Sequence, residues 1–126
     1  FKENTPDVRN TKIVDVIRAL EEYGVNVCVY DPWANPEEVY HEYGIKPLTN
    51  LDDVQNGELN NAPPTHSTGS GTADHASRVT RHLFDAIVLG VAHKEFLNIN
   101  INSLKKDVSV VYDVKGILKG DVDAKL

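Results

Sequence analysis

Lys2 and Arg9 stand in the opening stretch Phe1-Lys2-Glu3-Asn4-Thr5-Pro6-Asp7-Val8-Arg9-Asn10-Thr11-Lys12, immediately ahead of an amphipathic helix. A helix N-terminus offers free N–H groups and the positive end of a dipole, so a phosphate or pyrophosphate is the natural guest of such a turn. The competing reading is a surface ion pair between Arg9 and Asp7 or Glu3, and the sequence leaves the two open. Lys115, in Asp113-Val114-Lys115-Gly116, adds a point charge for the same anion, and Gly116 allows close backbone approach. Against it stands an ordinary exposed turn lysine.

Other signals carry less. Gly69-Ser70-Gly71 follows no strand and lacks the third glycine of a dinucleotide fingerprint, and no Walker A spacing exists. His66, His75 and His82 lack a metal-ligand pattern, so no metal site is expected. Cys28 lies between Val27 and Val29 and reads as inert core, because a catalytic thiolate needs polar, electropositive surroundings.

The elements that must hold these residues alternate. Ile13, Val16, Ile17 and Leu20 recur at helical spacing and predict a helix over Thr11–Tyr23, capped by Asn10 or Thr11 and ended by Gly24. Val25–Tyr30 is a β-branched run stopped by Asp31-Pro32, hence a buried strand. Helix, tight turn and strand form the second half of a βαβ unit, which places a first strand just before Phe1. Asn35-Pro36-Glu37-Glu38 opens a short helix that Gly44 ends, and Ile45–Thr49 reads as a brief edge strand because of Pro47.

From Asn50 to Thr72 the chain is polar and aperiodic, and a polar insertion is expected around residues 55–81. A helix over Ala73–Leu83 comes next. Ala86–Val91 is apolar on both faces and predicts a central strand covered on each side. His93-Lys94-Glu95-Phe96 opens a short helix, Leu97–Lys106 is partly helical, and Val108–Tyr112 is expected to be the last strand.

The result is an α/β domain over residues 1–126, a Rossmann-like three-layer open parallel sheet. Such sheets bind ligands beyond the carboxyl ends of their strands. Lys2 with Arg9, Asp31, His93 with Lys94, and Asp113 with Lys115 all lie just past an actual or inferred strand end. Asp31 taken alone is an ordinary Asp-Pro turn.

Composition sets the outer limits. With 126 residues and 40% hydrophobic content the chain suits one domain with one core. A formal net charge of −6 argues against a nucleic-acid or anionic-membrane partner. Its one cysteine and the lack of a long apolar run fit a cytoplasmic location. It begins on Phe and contains no Met, so it is read as a piece of a longer protein.

Five blocks bear a resemblance: Phe1–Lys12, Val29-Tyr30-Asp31-Pro32-Trp33-Ala34, Phe84–Leu89, Ala92-His93-Lys94-Glu95-Phe96 and Tyr112-Asp113-Val114-Lys115-Gly116-Ile117-Leu118. In this order they resemble the C-terminal domain of the UDP-glucose/GDP-mannose dehydrogenase family, with the bacterial UDP-N-acetylhexosamine branch most similar. The resemblance implies a Rossmann-like domain that binds a UDP-sugar and is joined by a long helix to an NAD-binding domain of the same polypeptide. It also implies two-step, NAD-dependent oxidation of the sugar C6 alcohol to a carboxylate, for cell-surface polysaccharide, in a homo-oligomer. By the same resemblance Lys2, with Phe1 beside it, and Lys115 contact the UDP-sugar, and Arg9 reaches the NAD pyrophosphate. The family's catalytic residues have no counterpart here, so no catalytic residue is expected in this chain and the chain alone is expected to be inactive. The alternative is a stand-alone nucleotide-binding or interaction module without catalysis.

Overall fold

The computed structural model describes residues 1–9, 11–56, 83–120 and 122–125. Three helices come first: α1 (Ile13–Glu22), α2 (Pro36–Tyr43) and α3 (Leu51–Gln55). Three parallel strands follow in the order β1 (Phe84–Leu89), β2 (Lys105–Asp113) and β3 (Ala124–Lys125). Two 3₁₀ turns, Lys94–Asn98 and Ile101–Ser103, form the crossover from β1 to β2.

Local chemistry accounts for the helices. The Asn35 side chain accepts the N–H groups of Glu37 and Glu38, Pro36 opens α2, and Gly44 ends it at φ 70°. α1 begins at Ile13, whose N–H meets the Thr11 hydroxyl at 3.4 Å, and Gly24 turns the chain away at φ 80°. α3 lies inside the stretch expected to be loop. Its signal is Asn50, whose side chain accepts the Asp52 N–H, with Asp52 and Asp53 in the first turn where the dipole favours acids.

The layers divide around β1, whose successive side chains point to opposite faces. Leu89 packs with Phe96, Val111 and Leu118 on the crossover side. Gly90 faces α1, where the Ile13 side chain occupies the space a Cβ would need. The opposite core joins Phe1, Val8, Val14, Ile17, Ala34, Val39 and Ile45. The expected α/β fold with a parallel sheet and flanking helices is what the structure has.

Three expectations need correction. Val25–Tyr30 forms no regular strand: its bridge is Tyr30 to Leu48, and Val25 is 47% exposed. Between this run and β1 lies an apolar cleft of about 250 Å³, roofed by Ile13, Val16 and Ile17. A run that faces a cleft has no ladder to join on that side. Second, among the described strands β1 is not central: β2 is, and Val88 and Val110 on one face are 43% and 54% exposed. Third, β2 is not the last strand, because Ala124 and Lys125 pair with Tyr112 and Asp113. All but the last residue of the helix expected over Ala73–Leu83, and nearly all of the polar insertion, lie outside the described residues.

Candidate functional site

The opening stretch folds into a tight turn, with a bridge between Lys2 and Thr5 and Asn4 at φ 52°. Phe1 and Val8 anchor its two ends in the core, and the Tyr43 hydroxyl donates to the Val8 carbonyl at 2.8 Å. The turn therefore stands on fixed feet while Lys2, Glu3 and Arg9 project outward.

Asp7 organises the cations. Lys2 Nζ lies 2.6 Å from Asp7 Oδ2, and Arg9 Nε lies 3.1 Å from Asp7 Oδ1. The Arg9 guanidinium first, and then the Lys2 ammonium, hold the Asp7 carboxyl well below the usual carboxylate range. The ion pair that rivals the ligand reading of Arg9 is thus present, and Asp7 holds both cations at once.

Lys115 arrives from the far end of β2. Asp113, fully buried, accepts the N–H groups of Lys115 (3.0 Å), Gly116 (2.7 Å) and Leu118 (2.7 Å). Three main-chain bonds to one carboxylate fix the loop, and Gly116 completes the turn at φ 68°. From that loop Lys115 Nζ reaches to within 3.5 Å of Glu3 Oε1. The structure therefore brings Lys2, Arg9 and Lys115 around one turn, with three cations facing the two carboxylates Glu3 and Asp7. Exposed ion pairs of this kind are individually weak and exchangeable.

Asp31 and His93 are not outward-facing. Asp31 Oδ1 accepts the N–H groups of Trp33 and Ala34, as an Asp-Pro turn predicts, and its Oδ2 also meets His93 Nε2 at 3.1 Å. Sequence reasoning missed that pairing and the role of Asn4, and it named Asp7 and Glu3 only as rival ion-pair partners of Arg9. A histidine directly after a strand end, paired with an aspartate after another, was the available signal. Lys94 Nζ stands 5.8 Å from the centre of the Trp33 ring. Cys28 is half-buried, and burial pushes its thiol up to about 11, as inert packing requires. No group of three metal-ligating side chains occurs among the described residues. No helix among them is long and apolar enough to cross a membrane.

Residues 1–120 match the model of the UDP-glucose/GDP-mannose dehydrogenase family, UDP binding domain. The chain belongs to this family. Within it, the chain is 40% identical to a UDP-N-acetyl-D-glucosamine 6-dehydrogenase of Pseudomonas aeruginosa and 34% identical to one of Salmonella typhi. Each alignment covers 96% of this chain and 23% of the relative. It is also 32% identical to Protein CapL of Staphylococcus aureus, over 96% of this chain and 22% of that protein. The chain thus spans about a quarter of the length of these relatives of its UDP-binding domain family. No solved structure matches it significantly.

Proposed function

We propose that this chain is the UDP-sugar-binding part of an NAD-dependent nucleotide-sugar 6-dehydrogenase, which oxidises the sugar C6 alcohol to a carboxylate for cell-surface polysaccharide. The observation that carries the reading is the 3.5 Å approach of Lys115 to Glu3, which joins the loop after β2 to the turn holding Lys2. Together with the family's UDP-binding description, it supports a diphosphate held by Lys2 and Lys115.

In this reading the chain works by position and charge. Lys2 and Lys115 exchange Asp7 and Glu3 for the oxygens of the nucleotide-sugar, at little cost because exposed pairs are weak. Phe1 has its ring in the core, so what it offers a ligand beside Lys2 is main chain. Arg9, whose side chain is 74% exposed, exchanges its pair with Asp7 for a phosphate of NAD bound by another domain. That fits a contact at the rim of a cofactor site rather than a pocket for the whole cofactor. NAD, when bound, supplies the hydride acceptor; this chain contributes the cation. A partner NAD-binding domain, a homo-oligomeric assembly and a cytoplasmic location complete the proposal, and the reacting groups belong outside this chain.

Titration with UDP by calorimetry tests the core of it. Saturable binding that Lys2→Ala and Lys115→Ala each weaken by about tenfold or more supports the reading, since a charge-assisted hydrogen bond is worth about 1.5–3 kcal/mol. Binding that neither substitution changes would overturn the assignment of the two lysines.

A further inference from the structure

His93 is fully buried, and the anion reading above makes no use of it. Its ring sits edge-on against Phe96, with centroids 5.1 Å apart and planes at 78°. Nδ1 accepts the N–H of Asn4 at 2.9 Å, so that nitrogen carries no proton and the ring hydrogen is on Nε2. Nε2–H therefore donates to Asp31 Oδ2 at 3.1 Å. Asp31 is itself fixed by the Trp33 and Ala34 N–H groups at its other oxygen. The chain of bonds runs from main chain to carboxylate to imidazole to main chain, and each member sets the orientation of the next.

Its far end is the turn. Asn4 holds a left-handed conformation, φ 52°, that asparagine tolerates better than most residues but that surroundings must select. Two bonds select it: the one to His93, and the one that its own Oδ1 accepts from the Lys94 N–H at 3.0 Å. Glu3, immediately before Asn4, is the residue that meets Lys115. Lys2 precedes it and bridges across Asn4 to Thr5.

The geometry points to His93 as a positioning residue of the anion-binding turn: oriented by Asp31, it fixes the Asn4 backbone and thereby the places from which Lys2 and Glu3 project. The functional half of this inference rests on the UDP reading above. A histidine that merely fills the core would act through packing alone, so the two roles separate in variants that keep one nitrogen's function at a time. In His93→Asn the side-chain oxygen stands where Nδ1 stood and still accepts from Asn4. In His93→Gln the amide nitrogen stands where Nε2 stood and still donates to Asp31, but the acceptor for Asn4 is lost.

The experiment compares both variants with the unsubstituted protein in amide hydrogen exchange at Asn4 without ligand, in UDP affinity and in urea stability. Ring ¹⁵N shifts of His93 in the unsubstituted protein should show the Nε2–H tautomer. His93→Gln is expected to speed exchange at Asn4 and to weaken UDP binding by about tenfold, while His93→Asn stays within about threefold, as loss of one hydrogen bond implies. Equal losses of UDP affinity in the two variants would overturn the proposal, and so would an unprotected Asn4 amide in the unsubstituted protein. If that amide is protected but millimolar UDP does not bind, the nucleotide reading falls and takes the positioning role with it, a failure recognisably different from an absent clamp.

Discussion

Lys115, in the loop after β2, and Glu3, in the turn that opens the chain, form an ion pair at 3.5 Å with both side chains about half exposed. This contact closes the ring of charge around the turn. It also makes Glu3 a competitor for the ligand that Lys115 is proposed to hold.

Removing that competitor should help binding. Glu3→Gln is expected to tighten UDP by about two- to fivefold at low salt, since exposed pairs are worth about 0.2–1 kcal/mol, and the gain should shrink as salt screens the site. Calorimetry at two ionic strengths checks it. Weaker binding in the variant would mean that Glu3 aligns Lys115 rather than competing for it.

Asp113 should matter for folding as much as for the site. Asp113→Ala leaves the N–H groups of Lys115, Gly116 and Leu118 without their acceptor, and a loss of about 3 kcal/mol or more is expected in urea unfolding. Asp113→Asn keeps one accepting oxygen and should lose about half as much. A stability unchanged in both would show that the loop finds other acceptors.

Gly90 is constrained by its neighbour rather than by its backbone. An alanine there overlaps Ile13 Cδ1, and Gly90→Ala should cost about 1–3 kcal/mol, as overpacking does. Ile13→Val deletes that atom, so the double variant should be more stable than the sum of the single losses predicts. Thermal or urea unfolding of the four proteins measures the coupling, and simple additivity would place α1 elsewhere.

Cys28 gives a pH prediction. Its thiol is pushed up to about 11 by burial from an ordinary value of 9.0, so the unfolded chain ionises first. The folded state then loses stability relative to the unfolded one as pH rises from about 9 towards about 11, and Cys28→Ala should flatten that slope. At pH 8 roughly one folded molecule in a thousand carries the thiolate, and alkylation should be at least about tenfold slower than in urea. Equal rates would mean an open thiol.

Local features were legible in the sequence. Asn35, Pro36 and Gly44 delimit α2 where they should, because a cap acts within three or four residues of itself. The turn after β2 was legible as well, for Asp113 and Gly116 satisfy it with bonds two and three residues long. Val25–Tyr30 and β1 were misjudged because composition reports a preference for extended backbone, while strand membership and centrality depend on which chains lie alongside.

By itself, the sequence determined an α/β chain with its polar residues after its strands, and it named Lys2, Arg9 and Lys115 as the cations to watch. The tertiary structure decided which of those residues meet. It paired Asp31 with His93 across 62 positions and His93 with Asn4 across 89, and it set Glu3 beside Lys115. Such contacts depend on how the crossover and the sheet order bring distant loops to one edge. That placement is the outcome of packing the whole chain at once, which no short window of residues encodes.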